Sequence, residues 1–352
     1  MAEIKIGNSL IGENHPCFTI AEAGANHDGN IEKAFRLIDA AKEANADSIK
    51  FQTYKASKLT TKTAPKYWDD GKKNETQYDV FSKLDTLTKD NWEEIFDYAK
   101  KKQIMCFSTP FDSESVDLLY SVDVPAFKIA SADITNFPLI QYIASKKLPI
   151  FISTGMASEV EISEAINLIE DRGNHEIIIM HCITAYPTKP EDANLKMIQT
   201  LSKNFSEYVI GYSDHTIGTI VPVCSTFYGA KCIEKHFTYD KQLTTSPDHR
   251  LSLNIEGFQK LVNELKISEI SRGSNLRTEF NAETEAVKFA RRSIVSKFDI
   301  PKGTKITENM IDVKRPGTGI SPKYFFKIIG SKTLKNIQED STIQWDDIDF
   351  SQ

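Results

Sequence analysis

The chain has 352 residues, of which 26% are charged and 40% hydrophobic. These fractions match those of folded, soluble globular proteins and exclude a disordered, collagen-like or coiled-coil chain. Lys plus Arg number 43 and Asp plus Glu 49, so the net charge of −6 lacks the basic excess of nucleic-acid-binding proteins. At about 150 residues per domain, this length predicts two domains, or one large domain with an appendage.

The N-terminal segment lacks the apolar core of a signal peptide, and no window reaches the roughly 18 apolar residues that cross a bilayer. We therefore expect a cytoplasmic protein with no membrane partner. The cysteines are odd in number and lack CxxC spacing, which favours buried free thiols over disulfides or a metal cluster. They are Cys17, Cys106, Cys182, Cys224 and Cys232.

Short β-rich runs alternate with amphipathic helical segments through the first 270 residues. Eight successive strand and helix units predict a (β/α)8 TIM barrel. A doubly wound open sheet is the alternative fold, but no GxGxxG motif follows the first strand to favour it. The eight runs are residues 17–24, 48–54, 104–111, 125–131, 149–155, 176–186, 208–216 and 231–238.

The pattern predicts a barrel domain over residues 1–270, a polar linker over 271–287 and a small β-rich domain over 288–352. The small domain contains an internal repeat, since residues 299–312 align with 336–349 at an offset of 37. Such a small unit has a marginal core, so we expect it to pack against its own barrel or against a partner subunit.

One long polar interruption, residues 55–88, follows the second predicted strand. Barrels place their functional loops after the strands, so this segment is either a substrate lid or a solvated excursion.

Polar residues follow every predicted strand, at the end where barrels place their reactive groups. Unpaired polar groups inside an apolar barrel cost a few kcal/mol each, so core filling does not explain them. The residues are Glu22, Asn26, Lys50, Gln52, Ser108, Thr109, Lys128, Ser131, Ser153, Thr154, His181, Thr184, Tyr186, Ser213, Asp214, His215, Glu234 and His236.

Two histidines end neighbouring strands of the predicted barrel. His236 shares a strand face with Glu234, whereas Lys235 takes the opposite face. His215 and His236 could together hold a divalent metal completed by water, and two hydrogen-bonded structural histidines are the alternative.

Lys50 and Lys128, with nearby hydroxyl groups, form a plausible cradle for a phosphate and a carboxylate. An ion pair with Glu22 or Asp133 is the structural alternative for either lysine. A Schiff-base lysine is the other alternative, and it would indicate a class I aldolase.

Together these strand ends resemble the sialic acid synthase family, whose members condense phosphoenolpyruvate with an N-acetylated mannose-like sugar to form nonulosonic acids. The tail resembles the antifreeze-like (SAF) domain of that family through DIPKGTKIT (299–307) and KRPGTGI (314–320). The matching barrel motifs are AEAGANHDG (21–29), IKFQTY (49–54), FSTPFD (107–112), FKIAS (127–131), ISTGMAS (152–158), AYPT (185–188), GYSDHTIG (211–218), IEKHFT (233–238) and PDHRLSL (247–253).

The resemblance implies roles for individual residues. His215 and His236 would bind Mn²⁺ or Mg²⁺, and Glu22 would transfer protons, kept ionised by Lys50. Arg315 of the small domain would reach the site of the other subunit in a homodimer. Phosphoenolpyruvate would be held by Lys50, Thr109, Lys128, Ser131, Ser153, Thr184 and Ser213, and the sugar would face Glu22, Gln52, Asp133, Tyr186, Asp248 and Arg315.

Two positions depart from the pattern of many bacterial relatives, since Asp133 stands in place of Glu and Thr184 in place of Asn. The implied reaction is metal-assisted attack of phosphoenolpyruvate on the sugar aldehyde, with phosphate leaving by C–O cleavage. The sugar is N-acetylmannosamine, its 6-phosphate, or a 2,4-diacetamido-trideoxy hexose that leads to legionaminic or pseudaminic acid. The rival functions are another phosphoenolpyruvate-dependent sugar-acid synthase and a non-catalytic carbohydrate- or ice-binding protein.

Overall fold

The structure is a computed structural model that describes residues 2–68, 74–276 and 281–350. Its internal packing divides the chain into two units, Met1–Gly273 and Ser274–Gln352. The predicted linker 271–287 contains the end of one helix and the start of another, and its residues 277–280 lie outside the described part of the chain.

Eight parallel strands of the first unit close into a barrel in the order β10-β3-β4-β5-β6-β7-β8-β9, which confirms the predicted TIM barrel. An antiparallel hairpin precedes the barrel. The strands are β1 (Glu3–Ile6), β2 (Ser9–Gly12), β3 (Phe18–Gly24), β4 (Ser48–Thr53), β5 (Met105–Pro110), β6 (Phe127–Ile129), β7 (Ile150–Ser153), β8 (Ile177–Cys182), β9 (Val209–Asp214), β10 (Cys232–His236), β11 (Ser293–Ser296), β12 (Ile311–Lys314), β13 (Lys332–Thr333) and β14 (Ile348–Asp349).

Helices follow the barrel strands and cover them with apolar faces. Several begin at a residue whose side chain accepts a backbone N–H, as Asn30, Thr88 and Ser158 do. The helices are α1 (Ile31–Glu43), α2 (Ala56–Leu59), α3 (Gln77–Leu84), α4 (Lys89–Lys101), α5 (Ser113–Ser121), α6 (Phe137–Ser145), α7 (Glu159–Glu170), α8 (Lys196–Asn204), α9 (Ile220–Phe227), α10 (Ile255–Arg272), α11 (Thr284–Phe289) and α12 (Phe325–Ile328).

The hairpin β1–β2 closes the end of the barrel where the strands begin. Ile4, Ile6 and Ile11 pack into one cluster with Phe18 and Phe107 inside the barrel. This apolar plug leaves the opposite end, where the strands finish, as the open end that can hold polar groups.

The second unit has the predicted internal symmetry. Ile300 and Ile337 exchange two backbone hydrogen bonds, and the strands β12 and β14 each follow a short 3₁₀ turn at the same offset. Its buried core consists of isoleucines, and three pairs of them are matched by the repeat: Ile300 with Ile337, Ile306 with Ile343 and Ile311 with Ile348. The other buried isoleucines are Ile294, Ile320 and Ile328.

The five cysteines are free thiols. The prediction that they are buried is wrong for Cys224, which is exposed on α9, and only partly right for the half-buried Cys17. A helix around a barrel exposes one side, and Cys224 lies on that side. Over the part of the chain that the structure describes, no helix is both long and apolar enough to cross a membrane.

Candidate active site

A cavity of about 330 Å³ opens at the end of the barrel where the strands finish. This volume is in the range of small-molecule sites. Alternating strand faces direct one set of polar side chains into it and the intervening set toward the helices. The predicted site residues that line it are Glu22, Lys50, Gln52, Thr109, Lys128, Ser131, Asp133, Ser153, Thr184, Tyr186, Ser213, His215, His236 and Asp248.

Two lysines and two glutamates form the floor of the cavity, all of them buried. Lys50 Nζ lies 2.6 Å from Glu22 Oε2 and 3.8 Å from Glu234 Oε2. Lys128 Nζ lies 3.8 Å from Glu234 Oε1, so the ion pair of Lys128 is with Glu234 rather than Asp133. The floor therefore holds two positive and two negative formal charges.

The ionisation of Glu22 differs from the prediction that Lys50 keeps this carboxylate charged. Burial raises the pKa of Glu22 to about 7, although Lys50 opposes the shift and Gln52 donates a 3.0 Å hydrogen bond to the carboxylate. Lys50 therefore does not outweigh burial at Glu22. Burial also lowers the pKa of Lys128, whereas the pKa of Lys50 is raised because its two carboxylate neighbours outweigh burial.

Hydroxyl groups surround the lysines. Lys50 Nζ donates to Thr109 Oγ1 at 3.0 Å, and Lys128 Nζ donates to Ser153 Oγ at 2.6 Å. Ser213 donates to Glu234 at 2.8 Å. The buried Thr184 Oγ1 has no hydrogen-bond partner within the described residues. An oxygen-rich anion would satisfy such a set of donors.

Ser131 and Gly155 show how closely the cradle is packed. The backbone N–H of Gly155 donates to Ser131 Oγ at 3.0 Å. A Cβ at position 155 would collide with Thr184 Oγ1 and stand 2.8 Å from Ser131 Oγ. Any side chain at this position would therefore occupy space beside two of the predicted ligands.

His215 and His236 lie side by side, with ring centroids 5.3 Å apart. Nδ1 of His215 donates to the carbonyl of Ile183 at 2.7 Å, which leaves Nε2 directed away from that bond. Nδ1 of His236 is buried without a hydrogen-bond partner in the described chain and lies 3.7 Å from Asp248 Oδ2. Burial lowers the pKa of His236 well below its usual value, so its imidazole is neutral and has a lone pair to offer.

The two histidines can offer nitrogen ligands to a divalent cation, which would have to displace a proton from His215, because Cys182 raises the pKa of that residue to about 9 against the effect of burial. Nowhere in the described residues do three or more His, Cys, Asp or Glu side chains form a complete metal-holding group. The histidines would therefore leave further coordination positions to water or substrate, as in open catalytic metal sites.

The outer part of the cavity carries carboxylates and aromatic rings. Burial raises the pKa values of Asp133 and Asp248, and Asp133 accepts a 2.9 Å hydrogen bond from Asn136. The Tyr186 ring lies 4.2 Å from the His215 ring, centroid to centroid. These groups surround the space directly above the histidines.

The segment 55–88 contributes to this outer part, which favours the functional interpretation of the segment. Its side chains Leu59, Tyr67, Trp68, Gln77 and Phe81 line the cavity. The segment is anchored by a small apolar cluster separate from the barrel core. Residues 69–73 lie outside the described part of the chain.

Several of the predicted strand-end residues do not line the cavity, because they bond to neighbouring strands or loops. Asn26 donates to the carbonyl of Phe237, Ser108 bonds to Thr53, Thr154 donates to the carbonyl of Met180, and His181 bonds to the carbonyl of Ala193. Cys182, the neighbour of His181, faces the cavity instead, so the two residues point apart as strand parity predicts.

Arg315, the remaining predicted site residue, belongs to the second unit. It is exposed and has no hydrogen bond or ion pair within the described residues.

Sequence reasoning gave no role to several cavity residues. Glu234 carried a detectable signal, because it shares the strand face of His236. Cys182 carried the same kind of signal, because it alternates with His181 at the end of β8. Arg250 and the side chains of the segment 55–88 gave no such signal, because the conformation of the segments between the strands determines which of their residues point inward.

The fold and the cavity define a barrel protein with buried lysines, glutamates and hydroxyl groups beneath two adjacent histidines at its open end, followed by a small β-rich domain. Residues 37–277 match the NeuB family and residues 291–349 match the SAF domain. The chain belongs to the NeuB family, which confirms the resemblance inferred from the strand-end motifs.

Relatives align along nearly the full chain. An N,N'-diacetyllegionaminic acid synthase of Legionella pneumophila is 38% identical, with 96% of each chain covered. A pseudaminic acid synthase of Helicobacter pylori is 37% identical over 94% of this chain and 98% of its own. The crystal structure of an N-acetylneuraminic acid (sialic acid) synthetase of Leptospira borgpetersenii, in complex with citrate, has 34% identity and a TM-score of 0.72, covering 81% of this chain and 95% of that one.

Proposed function

We propose that the protein is a nonulosonic acid synthase that condenses phosphoenolpyruvate with an N-acetylmannosamine-type sugar. The observation that carries this proposal is the buried cradle of Lys50, Lys128 and hydroxyl groups beneath His215 and His236. The cradle suits the phosphate and carboxylate of phosphoenolpyruvate, and the histidines stand where a second substrate would meet it.

The reaction balances with one water. The methylene carbon of phosphoenolpyruvate forms a bond to the aldehyde carbon of the sugar, and the aldehyde oxygen takes up a proton. Water adds its oxygen to the former enol carbon, and the bond between that carbon and the bridging oxygen breaks. Of the two protons of the water, one balances the proton taken up by the aldehyde oxygen, and the other leaves with phosphate as the added oxygen becomes the keto oxygen. Phosphate leaves with the bridging oxygen, and the product is a 2-keto sugar acid.

His215 and His236 would hold Mn²⁺ or Mg²⁺, which when bound supplies a Lewis acid for the sugar aldehyde. The protein's own part is to orient the reactants and to move protons. Glu22 is the candidate for proton transfer, because its carboxyl group lies on the cavity floor and its pKa of about 7 allows both protonation states near neutral pH.

The outer part of the cavity favours a sugar without a phosphate group. Lys50 and Lys128 lie on the floor, where the proposed cradle holds phosphoenolpyruvate, and Arg250 is the one other lysine or arginine among the described lining residues. Asp133 and Asp248 would repel a sugar phosphate. N-acetylmannosamine and the 2,4-diacetamido-trideoxy hexoses both meet this requirement, and the aromatic side chains from 55–88 suit the methyl groups of the latter.

We also propose a homodimer in which Arg315 reaches the cavity of the partner subunit, where its guanidinium would bind the N-acetyl carbonyl or sugar hydroxyls. Its exposed, unpaired state leaves it available for such a contact. The free thiols fit a reducing compartment, so we propose that the enzyme works in the cytoplasm.

A phosphate-release assay tests the function. The protein would be incubated with phosphoenolpyruvate, Mn²⁺ and, in turn, N-acetylmannosamine, N-acetylmannosamine 6-phosphate and the two 2,4-diacetamido-trideoxy hexoses that precede legionaminic and pseudaminic acid. We expect phosphate release that requires one of the unphosphorylated sugars. Phosphoenolpyruvate carrying ¹⁸O at the bridging position should deliver the label to phosphate.

The rival functions give different results in the same assay. A carbohydrate-binding protein would release no phosphate with any sugar. A synthase for another sugar acid would turn over phosphoenolpyruvate with an unacetylated aldose, such as arabinose 5-phosphate or erythrose 4-phosphate, and not with the N-acetylated sugars. Either result would overturn the proposal.

A further inference from the structure

A buried ion pair lies on the outer face of the barrel, directly behind the two histidines. Lys235 Nζ is 2.5 Å from Asp214 Oδ2, and both side chains have 0% exposure. Lys235 also donates a hydrogen bond to the carbonyl oxygen of Thr216. Asp214 accepts from the Tyr212 hydroxyl at 2.9 Å, from the Thr216 N–H at 2.9 Å and from the Thr216 hydroxyl at 3.0 Å.

The position of this pair relative to the histidines follows from strand parity. Lys235 and Asp214 are partners in the register of β10 with β9. His215 lies between Asp214 and Thr216, and His236 follows Lys235 directly. Lys235 therefore contacts the side chain of Asp214 on one side of His215 and the backbone carbonyl of Thr216 on the other, while it immediately precedes His236.

Stability alone does not explain a charged pair at this place. Moving a lysine and an aspartate out of water costs several kcal/mol per ion, and well-packed neutral residues at such a site are often as stable or more stable. Apolar side chains would fill the layer between barrel and helices, but they could not donate a hydrogen bond across the two strands.

We propose that the Lys235–Asp214–Thr216 bridge is a positioning device that sets the spacing and orientation of His215 and His236 for a divalent cation. This inference rests on the metal site of the proposed function. Groups behind metal-binding histidines typically change metal affinity 10- to 100-fold when they are altered. Lys235 and Asp214 touch no substrate, so we assign them no catalytic role.

A matched pair of double variants tests the bridge in the full-length protein. Asp214→Asn/Lys235→Met removes both charges and the donor, while the amide oxygen introduced by Asp214→Asn can still accept from Tyr212 and Thr216. Asp214→Asn/Lys235→Gln is equally neutral but retains an amide that donates across the strands. Asp117→Asn/Lys146→Met is the control, since this ion pair of 2.6 Å lies outside the barrel.

The probe is Mn²⁺ alone, titrated without substrates and followed by the electron paramagnetic resonance signal of the free ion. Thermal unfolding establishes that each variant is folded. We expect the Lys235→Met double variant to lose about 10-fold or more in Mn²⁺ affinity, and the Lys235→Gln double variant and the control to stay within about 3-fold of the wild type. Phosphoenolpyruvate affinity measured in EDTA should be unchanged in all three, which general structural damage would not permit.

The outcomes separate the bridge from the proposed function. Equal Mn²⁺ affinity in the wild type and a folded Lys235→Met double variant would overturn the bridge and leave the metal site standing. A wild-type protein that binds no Mn²⁺ would overturn the metal site itself. Should the Lys235→Met double variant not fold, a folded Lys235→Gln double variant with a 10-fold loss of Mn²⁺ affinity would contradict the bridge, because its neutral donor is retained.

Discussion

Replacing Lys128 by methionine should lower both the stability of the protein and its affinity for phosphoenolpyruvate, and a second variant separates the two effects. The lysine attracts Glu234 across 3.8 Å, which corresponds to about 4 kcal/mol at an effective dielectric constant of about 20. Removing one member of a buried pair costs about 3 to 5 kcal/mol, so Lys128→Met should lower the free energy of unfolding by about this amount. Glu234 keeps two other partners, Lys50 and Ser213, so we expect the loss of unfolding free energy to lie near the lower value.

Binding of phosphoenolpyruvate should weaken for a separate reason. A hydrogen bond from a charged donor to an anion contributes about 1.5 to 3 kcal/mol, which corresponds to a loss of about 10- to 150-fold in affinity. The double variant Lys128→Met/Glu234→Gln removes the uncompensated carboxylate as well. We expect it to regain most of the lost stability but not the lost affinity.

Calorimetric titration of phosphoenolpyruvate and thermal unfolding measure the two effects on the same samples. The matched control is Glu13→Gln/Lys231→Met, a 2.7 Å ion pair that does not line the cavity. Affinity within about twofold of the wild type in the Lys128→Met/Glu234→Gln variant would refute the role of Lys128 as a ligand. A stable single variant would refute the charge balance inferred for the floor.

Three further predictions concern the site. His215→Ala and His236→Ala should each abolish Mn²⁺ binding and phosphate release without unfolding the protein, and EDTA should do the same to the wild type; full turnover in EDTA would contradict the metal site. Borohydride added with phosphoenolpyruvate or pyruvate should leave the protein mass unchanged, whereas an adduct on Lys50 or Lys128 would indicate a Schiff-base aldolase. Arg315→Ala and Lys128→Met chains, inactive alone, should regain about a quarter of the wild-type sites when mixed, because half of random dimers are mixed and each holds one intact shared site; no rescue in verified mixed dimers would place Arg315 in its own subunit's site.

The barrel could be predicted from the sequence because its signals are local and repeated. Each strand is a short β-rich run and each intervening helix an amphipathic one, so eight repetitions specify the order of the elements. The same alternation predicted that Glu234 and His236 share one strand face while Lys235 takes the other, and Glu234 and His236 do line the cavity while Lys235 points out. It was not applied to Asn26, Ser108, Thr154 and His181, which were predicted at the same end of the barrel and do not line the cavity.

The pairing within the site could not be predicted, because it depends on distances between strands. The sequence offered Glu22 or Asp133 as the ion-pair partner of Lys128, and only the closed barrel brings the Glu234 carboxylate within 3.8 Å of it. The raised pKa of Glu22 has the same origin, since burial and not the sequence neighbours dominates it. The aromatic side chains of 55–88 were missed because loop conformation carries no periodic signal.

The charge of the cavity floor indicates how the binding of phosphoenolpyruvate and the binding of a metal at the histidines depend on each other. Lys50 and Lys128 face Glu234 and Glu22, and Glu22 is partly protonated near neutral pH because its pKa is about 7. The floor by itself therefore offers at most about one net positive charge to phosphoenolpyruvate, which carries about three negative charges at neutral pH. His236 is neutral because burial lowers its pKa, whereas Cys182 raises the pKa of His215 to about 9 against the effect of burial, so the two histidines supply at most one positive charge. A divalent cation at the histidines would supply more, and each ligand would then strengthen the binding of the other. Because such coupling is reciprocal, Mn²⁺ should raise phosphoenolpyruvate affinity by the same factor by which phosphoenolpyruvate raises Mn²⁺ affinity. Equal affinities with and without the other ligand, measured by calorimetry, would show that the floor binds its anion without help from the metal.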